Sequence, residues 1–290
     1  MRTRTMVAAQ PEPTGRFSEI NDLKLHYLDW GGDDTKHTFL LLHGGGGAHA
    51  HWWDEVAALL TPFGRVLALD FRGHGLSQWS RPPVYGPAVY IEDLKKFIEQ
   101  VKTRVILVGH SMGGAVAQWT AAEWPDLLEA LIIVDALPGR PPLWRRLMWR
   151  WRRKVQGGTR PELDSAESLA RKFRLSPPGT YLSPQALSRL ALSGAEQMPN
   201  GRWTFRFDPE TRSWRRMKLP PRPPRLRRIT TPTLILRGAQ STLLRRWKAR
   251  SMHRRISGSI FREIPRAFHH VPLDNPGDTA AAIIEFVESI

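Results

Sequence analysis

The sequence contains no cysteine among its 290 residues. This absence excludes a disulfide framework, a thiolate zinc site and a cysteine nucleophile. Long apolar runs are also absent: no stretch reaches the roughly 18 residues of a membrane-spanning helix. The amino-terminal segment, residues 1–13, lacks the apolar run of a signal peptide. We therefore expect a cytoplasmic protein in which serine, if any residue, is the nucleophile.

Acidic residues are scarce relative to basic ones, and the formal net charge is +16. The imbalance is local. Residues 140–228 hold 22 Lys/Arg and 6 Asp/Glu, whereas the rest of the chain holds 21 of each. A basic segment is typical of proteins that contact nucleic acid or anionic membranes. Because no nucleic-acid recognition motif accompanies the charge, we expect no specific nucleic-acid partner.

Short apolar runs alternate with helical patterns through most of the chain. We predict strands at 17–20, 23–30, 38–43, 65–70, 105–108, 131–135, 233–238 and 260–264, and helices near 51–60, 89–102, 115–122, 243–257 and 278–289. Continuous apolar strands between helices indicate an α/β fold with a mostly parallel central sheet and helices on both faces. The first two strands, joined by Asn21-Asp22, predict a hairpin at the sheet edge.

The alternation stops at 136–142 and resumes at Thr233. We divide the chain into a disordered lead (1–15), a core (16–138 and 229–290) and an inserted cap (139–228) that is rich in arginine, tryptophan and proline. Helical patterns near 144–155, 165–173 and 184–194 predict a helical cap. The segment 220–224, Pro-Pro-Arg-Pro-Pro, predicts a stiff connector back to the core.

The stretch Gly109-His110-Ser111-Met112-Gly113 matches the G-x-S-x-G pattern between an apolar strand and a helix. This context predicts a nucleophile elbow, a tight turn that forces the serine into strained backbone angles and requires glycine on either side. The turn would expose the Ser111 hydroxyl at the carboxyl edge of the sheet. The amide that follows it would lie at a helix amino terminus, where an anion is stabilised.

His43-Gly44-Gly45 ends a strand that precedes the elbow strand by two strands. Acyl transfer places negative charge on a carbonyl oxygen, and preorganised backbone N–H groups stabilise that charge. We predict the amides of Gly45 and Met112 as the two donors of this oxyanion hole.

Histidine is the expected general base, and His269 and His270 both follow the last strand. Their position alone does not distinguish them. His74, in an Arg-Gly-His-Gly loop, is a weaker candidate because that turn is better suited to supporting the site. His110 is predicted to lie beneath the elbow.

The acid that would orient the base is missing from its expected place. The segment 237–244, after the penultimate strand, contains no carboxylate, and Thr242 occupies the position where aspartate would serve best. Asp135 ends another strand at the same predicted edge, and a triad is defined by geometry rather than by chain order. Two interpretations remain open: Asp135 supplies the acid, or the site has none.

Four motifs together resemble the α/β-hydrolases of the esterase and lactonase-like branch: Leu41-Leu-His-Gly-Gly-Gly-Gly47, Leu69-Asp-Phe-Arg-Gly-His-Gly-Leu-Ser77, Gly109-His-Ser-Met-Gly-Gly114 and His269-His-Val-Pro-Leu-Asp-Asn-Pro276. The resemblance covers residues 17–290 apart from the cap. It implies His269 rather than His270 as the base, and it would place the acid at Thr242. Ser111, where haloalkane dehalogenases of this fold have aspartate, argues against that activity.

Within the cap, the segment 143–154 combines arginines with an apolar stripe that includes Trp144 and Met148. The stripe is typical of a helix that packs over an active site with its arginines in solvent. The alternatives are an interfacial helix that contacts an anionic membrane and a field that steers acidic esters. Trp203, Phe205 and Phe207 alternate, which suits one face of an extended cap segment or a pocket wall.

These observations predict a serine hydrolase that cleaves carboxylic esters of small molecules through an acyl-enzyme intermediate, with no cofactor and no metal. Ser111, His269 and Asp135 are the candidate catalytic residues. The candidate substrate contacts are Gly44, His110, Trp144, Met148 and Trp203. The alternatives are a lactone or C–C bond hydrolase of the same fold, and a catalytically weakened binding or membrane-associated protein. The sequence predicts neither the substrate's chain length nor the oligomeric state.

Overall fold

A computed structural model describes residues 12–138 and 160–290 and centres on an eight-stranded sheet with the strand order β1-β2-β4-β3-β5-β6-β9-β10. The strands of this sheet are β1 (Thr14–Ile20), β2 (Leu23–Asp29), β3 (His37–Leu42), β4 (Gly64–Leu69), β5 (Val105–His110), β6 (Leu128–Val134), β9 (Thr233–Gly238) and β10 (Ile260–Ile264). The six strands from β4 to β10 in this order are parallel, whereas β1 and β2 join them antiparallel. The predicted mostly parallel sheet is confirmed.

The edge hairpin forms as the sequence predicts, but it begins earlier. Asn21 and Asp22 have φ angles of 50° and 61°, which is the conformation of a two-residue type I′ turn. Thr14 and Gly15 pair with Asp29 and Leu28. The sheet therefore includes two residues that we assigned to the lead, and residues 1–11 lie outside the described part.

Helices cover both faces of the sheet. The helices of the described residues are α1 (Asp54–Leu60), α2 (Pro87–Val101), α3 (Met112–Glu123), α4 (Ala166–Lys172), α5 (Pro184–Ser193), α6 (Arg246–His253), α7 (Val271–Asp274) and α8 (Pro276–Val287), of which α4 and α5 belong to the insertion rather than to the faces of the sheet. Among the helices of residues 12–138 and 160–290, none has both the length and the apolar content that crossing a bilayer would require.

The hydrophobic core forms two layers because successive strand side chains point to opposite faces. Leu40 and Leu42 pack with helices α2 and α3 on one face, and Phe39 and Leu41 pack with α1 and α8 on the other. All four are fully buried, and burial of each contributes about 1.5–3 kcal/mol relative to exposure. The two layers fix the sheet, so the loops at its carboxyl edge start from rigid strand ends.

The insertion between β6 and β9 contains helices α4 and α5 and the hairpin of β7 (Ala195–Gln197) and β8 (Trp203–Phe205) in its described part, residues 160–228. Ser165 and Ser183 cap the two helices by accepting hydrogen bonds from the amides of Ser168 and Ala186. The predicted helices near 165–173 and 184–194 are confirmed. The predicted helix near 144–155, with Trp144 and Met148, lies outside the described residues.

Asp208 attaches the insertion to the core. Its buried carboxylate accepts hydrogen bonds from the Tyr85 hydroxyl at 2.6 Å and from Arg81 at 2.8 Å. Its amide donates to the Gly73 carbonyl at 2.8 Å. A buried carboxylate is stable only when it is paired in this way, so these contacts hold the insertion against the loops of the core.

Candidate active site

Ser111 stands at the carboxyl end of β5, in the turn between that strand and α3. Its φ of 53° and ψ of −110° are strained for a residue with a side chain. A Cβ atom on Gly109 would lie 2.5 Å from the Gly113 carbonyl oxygen, and one on Gly113 would lie 2.5 Å from that of Leu42. The turn therefore needs glycine at both positions, and the strain that they permit raises the serine side chain above the sheet edge.

His269 meets Ser111 from the loop between β10 and α7. Its Nε2 atom lies 3.0 Å from the Ser111 Oγ atom, and its Nδ1 atom lies 2.8 Å from Asp135 Oδ1. An ionised carboxylate can only accept, so Nδ1–H of the neutral ring donates to Asp135 and Nε2 is left to accept from the serine hydroxyl. This tautomer is the one a general base needs.

Asp135 follows the last residue of β6 and is fully buried. Its Oδ1 accepts from the Ser241 hydroxyl at 2.7 Å as well as from His269, and its Oδ2 accepts from the Gly238 amide at 3.0 Å. The residue has a φ of 43°, a conformation that aspartate tolerates better than most side chains. Three donors fix the carboxylate in one orientation toward the imidazole.

The loop after β9 provides a hydrogen-bond donor to Asp135 and no carboxylate of its own. Ser241 is buried and donates to Asp135, whereas the next residue, Thr242, is exposed. Strands β6 and β9 are neighbours in the sheet, so the end of either strand can present a carboxylate to the same imidazole. Ser241 was missed at the sequence level, because nothing in a Gly-Ala-Gln-Ser-Thr loop distinguishes one hydroxyl from the other.

The loop after β3 is held by His43, a second residue whose role the sequence did not reveal. The His43 ring accepts from the Phe71 amide through Nε2 at 3.1 Å, so Nδ1 carries the proton and donates to the Gly44 carbonyl at 2.6 Å. Burial lowers the pKa of His43 to about 4, which keeps the ring neutral. In a trans peptide the N–H points away from the C=O, so the Gly45 amide faces away from His43.

Gly45 and Met112 lie side by side. A Cβ atom on Gly45 would be 3.6 Å from Met112 Sδ, and one on Gly44 would be 3.5 Å from Ser111 Cβ. The Gly45 amide donates to no acceptor among residues 12–138 and 160–290. The Met112 amide opens α3 and so has no partner within the helix. Two backbone donors therefore lie in the immediate surroundings of the serine.

Two further histidines surround His269. His110 donates from Nε2 to the His269 carbonyl at 2.8 Å, and the two ring centroids are 4.8 Å apart. His270 donates from Nε2 to the Pro177 carbonyl of the insertion at 2.9 Å. Burial lowers the pKa of His110 well below its usual value and that of His270 to about 4. The structure thus turns His269 toward Ser111 and His270 toward the insertion.

These three histidines each present one nitrogen within 4.8 Å of the other two. Both nitrogens of His269 and one of each neighbour already have hydrogen-bond partners. A metal ion bound by all three histidines would have to displace a hydrogen bond of His269, to Ser111 or to Asp135, and the expected absence of a metal stays a prediction.

The predicted substrate contacts have different outcomes. Gly44 lies beside Ser111, whereas His110 is buried under His269 as a support, so direct contact of its ring with substrate is not favoured. Trp203 is half-buried in β8 and pairs its backbone with Leu163. Its ring makes no hydrogen bond or ring contact with Ser111 or His269 within the described ranges. Trp144 and Met148 fall outside those ranges.

Phe207 lies two residues after the end of β8, and its ring contacts the glycine-rich loop 44–47. A Cβ atom on Gly47 would lie 3.2 Å from its ring. Arg212 stacks over this ring at 4.4 Å and donates to the Gly46 carbonyl at 2.8 Å. His74, the weaker base candidate, is buried beside this region and 5.1 Å from the His43 ring, and burial lowers its pKa to about 3. It is a support rather than a partner of Ser111.

Known proteins resemble this chain over most of its length. It is 27% identical to the mouse sn-1-specific diacylglycerol lipase ABHD11 over 273 residues, which cover 93% of this chain and 87% of the lipase. It is 30% identical to the esterase Rv0045c of Mycobacterium tuberculosis over 207 residues, 69% of this chain and 67% of the esterase. The curated relatives include esterases and lipases.

Solved structures share the fold at lower sequence identity. The crystal structure of E-2-(acetamidomethylene)succinate hydrolase superposes with a TM-score of 0.78 at 23% identity and covers 95% of this chain and 99% of that one. The crystal structure of esterase Rv0045c gives 0.73 at 23% identity, with 97% and 93% covered. The model of the alpha/beta hydrolase family matches residues 39–282. With the sheet order, the elbow and this match in agreement, the chain belongs to the alpha/beta hydrolase family.

Proposed function

We propose that this protein is a serine hydrolase that cleaves carboxylic esters through an acyl-enzyme intermediate. One observation carries the proposal: an unbroken hydrogen-bond chain runs from Ser111 Oγ through His269 to the buried Asp135, with distances of 3.0 Å and 2.8 Å. Activation of a serine requires a base within hydrogen-bond reach and a third group that orients the base. All three are present at one edge of the sheet.

In the first step, Ser111 attacks the ester carbonyl carbon while its proton moves to His269 Nε2. The ring becomes an imidazolium, and Asp135 stabilises that charge through the hydrogen bond to Nδ1. Because Asp135 also accepts from Ser241 and Gly238, it stays in place while the charge develops. His269 then donates the proton to the leaving alcohol.

The attack turns the carbonyl oxygen into an oxyanion, which we assign to the amides of Gly45 and Met112. The His43 contact with the Gly44 carbonyl fixes the orientation of the peptide that carries the Gly45 N–H. Preorganised donors need no rearrangement when the charge forms, and loss of one such donor typically costs about 2.7–4 kcal/mol of transition-state stabilisation. Water, deprotonated by the same histidine, then releases the acid from Ser111.

The surroundings of the site favour a substrate with an apolar part. Trp52, whose ring lies 5.5 Å from that of His270, forms a buried cluster with Ala48 of the core and with Leu175 and Leu190 of the insertion. Phe173, Leu182, Leu187 and Leu273 pack around this cluster. The mouse relative is named as a lipase and the mycobacterial one as an esterase, which is consistent with an ester that carries an apolar acyl or alcohol group.

The alternative of a catalytically weakened protein depended on the missing carboxylate at Thr242. Asp135 occupies the position at His269 Nδ1 that the missing residue would have filled. The distances to His269 therefore favour a competent hydrolase over a pocket that only binds.

Hydrolysis of p-nitrophenyl acetate and p-nitrophenyl butyrate by the wild type and by Ser111→Ala tests the proposal. Ser193→Ala is the matched control, because the Ser193 hydroxyl donates to the Leu190 carbonyl within the last turn of α5 and does not contact the triad. We expect turnover of both esters by the wild type and by the control, and a loss on the order of a thousandfold or more in Ser111→Ala. Equal turnover by all three proteins would refute the proposal.

A further inference from the structure

Helix α6 presents an exposed tryptophan within a group of arginines on the surface of the core. Trp247 is 63% exposed. Arg246, Arg250 and Arg254 follow one another at intervals of four residues and line one shallow groove with Trp247. Arg245, just before the helix, is also exposed. We call Arg245, Arg246, Trp247, Arg250 and Arg254 the α6 patch.

The opposite face of the helix fixes the patch to a rigid support. Ala249 and Met252 are fully buried, and Ile256 continues the same buried stripe after the helix ends. Because residues three and four apart share a helix face, packing of this stripe on the core forces Arg246, Arg250 and Arg254 toward solvent. The patch is therefore built by the fold and does not depend on the rotamers of a loose segment.

The charge of the patch is largely uncompensated. The segment 245–255 contains six Lys/Arg and no Asp/Glu. Arg246 pairs with Glu263 at 2.9 Å, but Glu263 is shared with Arg237. Arg245, Arg250 and Arg254 have no ion pair with any carboxylate of residues 12–138 and 160–290. Like charges four residues apart destabilise a helix, so this arrangement is unfavourable for the isolated protein.

An anionic bilayer surface would compensate the charge of the arginines and cover the exposed indole ring. Arginines gain attraction to anionic headgroups, and the indole ring has its preferred location at the boundary between headgroups and hydrocarbon. Nucleic acid would satisfy the arginines as well, but a tryptophan that stands out of the arginine row favours the bilayer. We propose that the α6 patch docks this protein on anionic membranes, with the Trp247 indole in the headgroup layer.

The location of the patch relates it to the candidate active site. The loop 239–245 starts at the carboxyl end of β9, provides the Ser241 hydroxyl to Asp135, and leads directly into Arg245. One end of the patch thus lies one loop away from the acid of the triad. The expected membrane contact through the cap segment 143–154 concerned residues outside the described part, and the α6 patch is a separate surface.

Co-sedimentation of the full chain with phosphatidylcholine vesicles, with and without phosphatidylglycerol, tests the proposal at low and at high ionic strength. We expect binding only to the vesicles that contain phosphatidylglycerol, and weaker binding in high salt. The double substitution Arg250→Glu with Arg254→Glu should weaken partitioning about thirtyfold or more, and Trp247→Ala should weaken it several-fold.

Two control variants test whether membrane binding depends on the α6 patch rather than on the total charge or on any exposed aromatic ring. Arg227→Glu with Arg228→Glu makes the same charge change at exposed positions of the insertion, and Phe17→Ala removes another ring, 57% exposed. Both controls should bind like the wild type. Equal losses in the α6 and the control variants would overturn the proposal, as would binding to neutral vesicles alone or preferential binding to a short DNA duplex.

The binding test is independent of the proposed catalysis. Ser111→Ala should bind phosphatidylglycerol vesicles like the wild type, and all patch and control variants should hydrolyse soluble p-nitrophenyl butyrate like the wild type, since none of these residues touches the triad. Membrane binding without ester hydrolysis would support the patch and reject the hydrolase. Ester hydrolysis without membrane binding would support the hydrolase and reject the membrane-docking patch.

Discussion

At the scale of single residues, hydrogen bonding sorts the histidines of the site into different tasks. His269 contacts Ser111 and Asp135, whereas His110 holds the His269 backbone and His270 holds the insertion. The low pKa values of His110 and His270, both caused by burial, keep these rings uncharged. In the proposed mechanism, such neutral supports avoid repulsion when His269 takes the proton from the serine.

Asp135→Asn tests whether the acid has moved to the end of β6. The amide cannot accept in the same way and would favour the wrong tautomer of His269, so kcat should fall on the order of a hundredfold to ten-thousandfold with KM little changed. Ser241→Ala removes one donor to the carboxylate but leaves the histidine contact, and should cost about tenfold. Steady-state hydrolysis of p-nitrophenyl butyrate measures both.

Thr242→Val is the control for these variants, because Thr242 is exposed and contributes no hydrogen bond to Asp135. It should retain the wild-type kcat. An unchanged kcat in Asp135→Asn, or a large loss in Thr242→Val, would show that the acid assignment is wrong.

The residues with a sequence signature could be found before the structure, and those without one could not. Gly-x-Ser-x-Gly identifies Ser111 as the candidate nucleophile, and the histidine pair after the last strand narrows the candidate base to two positions. Asp135 could be proposed from its place at a strand end, but only the adjacency of β6 and β9 brings it to His269. Ser241 and His43 act through contacts distant in sequence, which no local pattern records.

At the scale of elements, the elbow depends on close packing of backbone against backbone. Gly109 faces the carbonyl of Gly113, and Gly113 faces the carbonyls of Leu42 and His43. These close backbone contacts bring β3, β5 and α3 together around the turn that holds Ser111. Any side chain there would push Ser111 away from the loop that carries Gly44 and Gly45.

Gly109→Ala should therefore destabilise the protein by about 3 kcal/mol or more, since its Cβ would lie 2.5 Å from the Gly113 oxygen. Gly277→Ala is the matched control: it lies in α8 with no atom within 4 Å of an added Cβ. In a helix, alanine should leave stability unchanged or raise it by up to about 1 kcal/mol. Urea unfolding measures both, and equal shifts in the two variants would contradict this account of the elbow.

Element boundaries were harder to predict where a loop has a structural task. The helix predicted at 243–257 is found only over Arg246–His253. The buried Arg237 side chain donates to the carbonyls of Ala239, Ser241 and Leu244, which holds this segment in a loop that orients Ser241. Periodicity cannot anticipate a helix that starts late because an arginine on a neighbouring strand binds its leading residues.

At the scale of the whole molecule, the net charge of a segment does not show where its basic residues cluster on the surface. The chain outside 140–228 has equal numbers of acidic and basic residues, yet the six Lys/Arg of 245–255 are gathered on one helix and its ends. The zero net charge summed over the two segments outside 140–228 therefore did not predict the α6 patch. Its recognition required the helix orientation and the exposure of each side chain.

The buried histidines make the stability of the protein depend on pH. Burial lowers the pKa of His43 and His49 to about 4 and that of His74 to about 3, against about 6.5 in an unfolded chain. Below pH 6.5 the unfolded state binds more protons, so the free energy of unfolding falls as the pH falls, by up to about 1.4 kcal/mol per pH unit for each such histidine. His51, whose pKa is raised, acts in the opposite direction.

We therefore expect a steep loss of stability between pH 6.5 and pH 4. In this range His43, His49 and His74 take up protons in the unfolded chain but stay neutral in the folded protein. Burial raises the pKa of Asp70, but the hydrogen bond from His26 and the attraction of the nearby histidines together outweigh it and lower that pKa to about 2, so Asp70 should still be ionised there. Urea midpoints measured across this range test the prediction. His49→Gln should give a shallower pH dependence than the wild type, and an identical slope would contradict the assignment of buried neutral histidine.

The central claim is that Ser111 is activated by His269 and Asp135 to attack an acyl carbonyl. A p-nitrophenyl phosphonate ester tests it most directly, because an activated serine displaces p-nitrophenol and keeps the phosphonyl group. We predict release of one p-nitrophenol per protein, an adduct that peptide mass spectrometry locates on Ser111, and labelling that is far slower in Asp135→Asn and absent in Ser111→Ala. An adduct on another residue, or labelling of Ser111→Ala at the wild-type rate, would contradict the account.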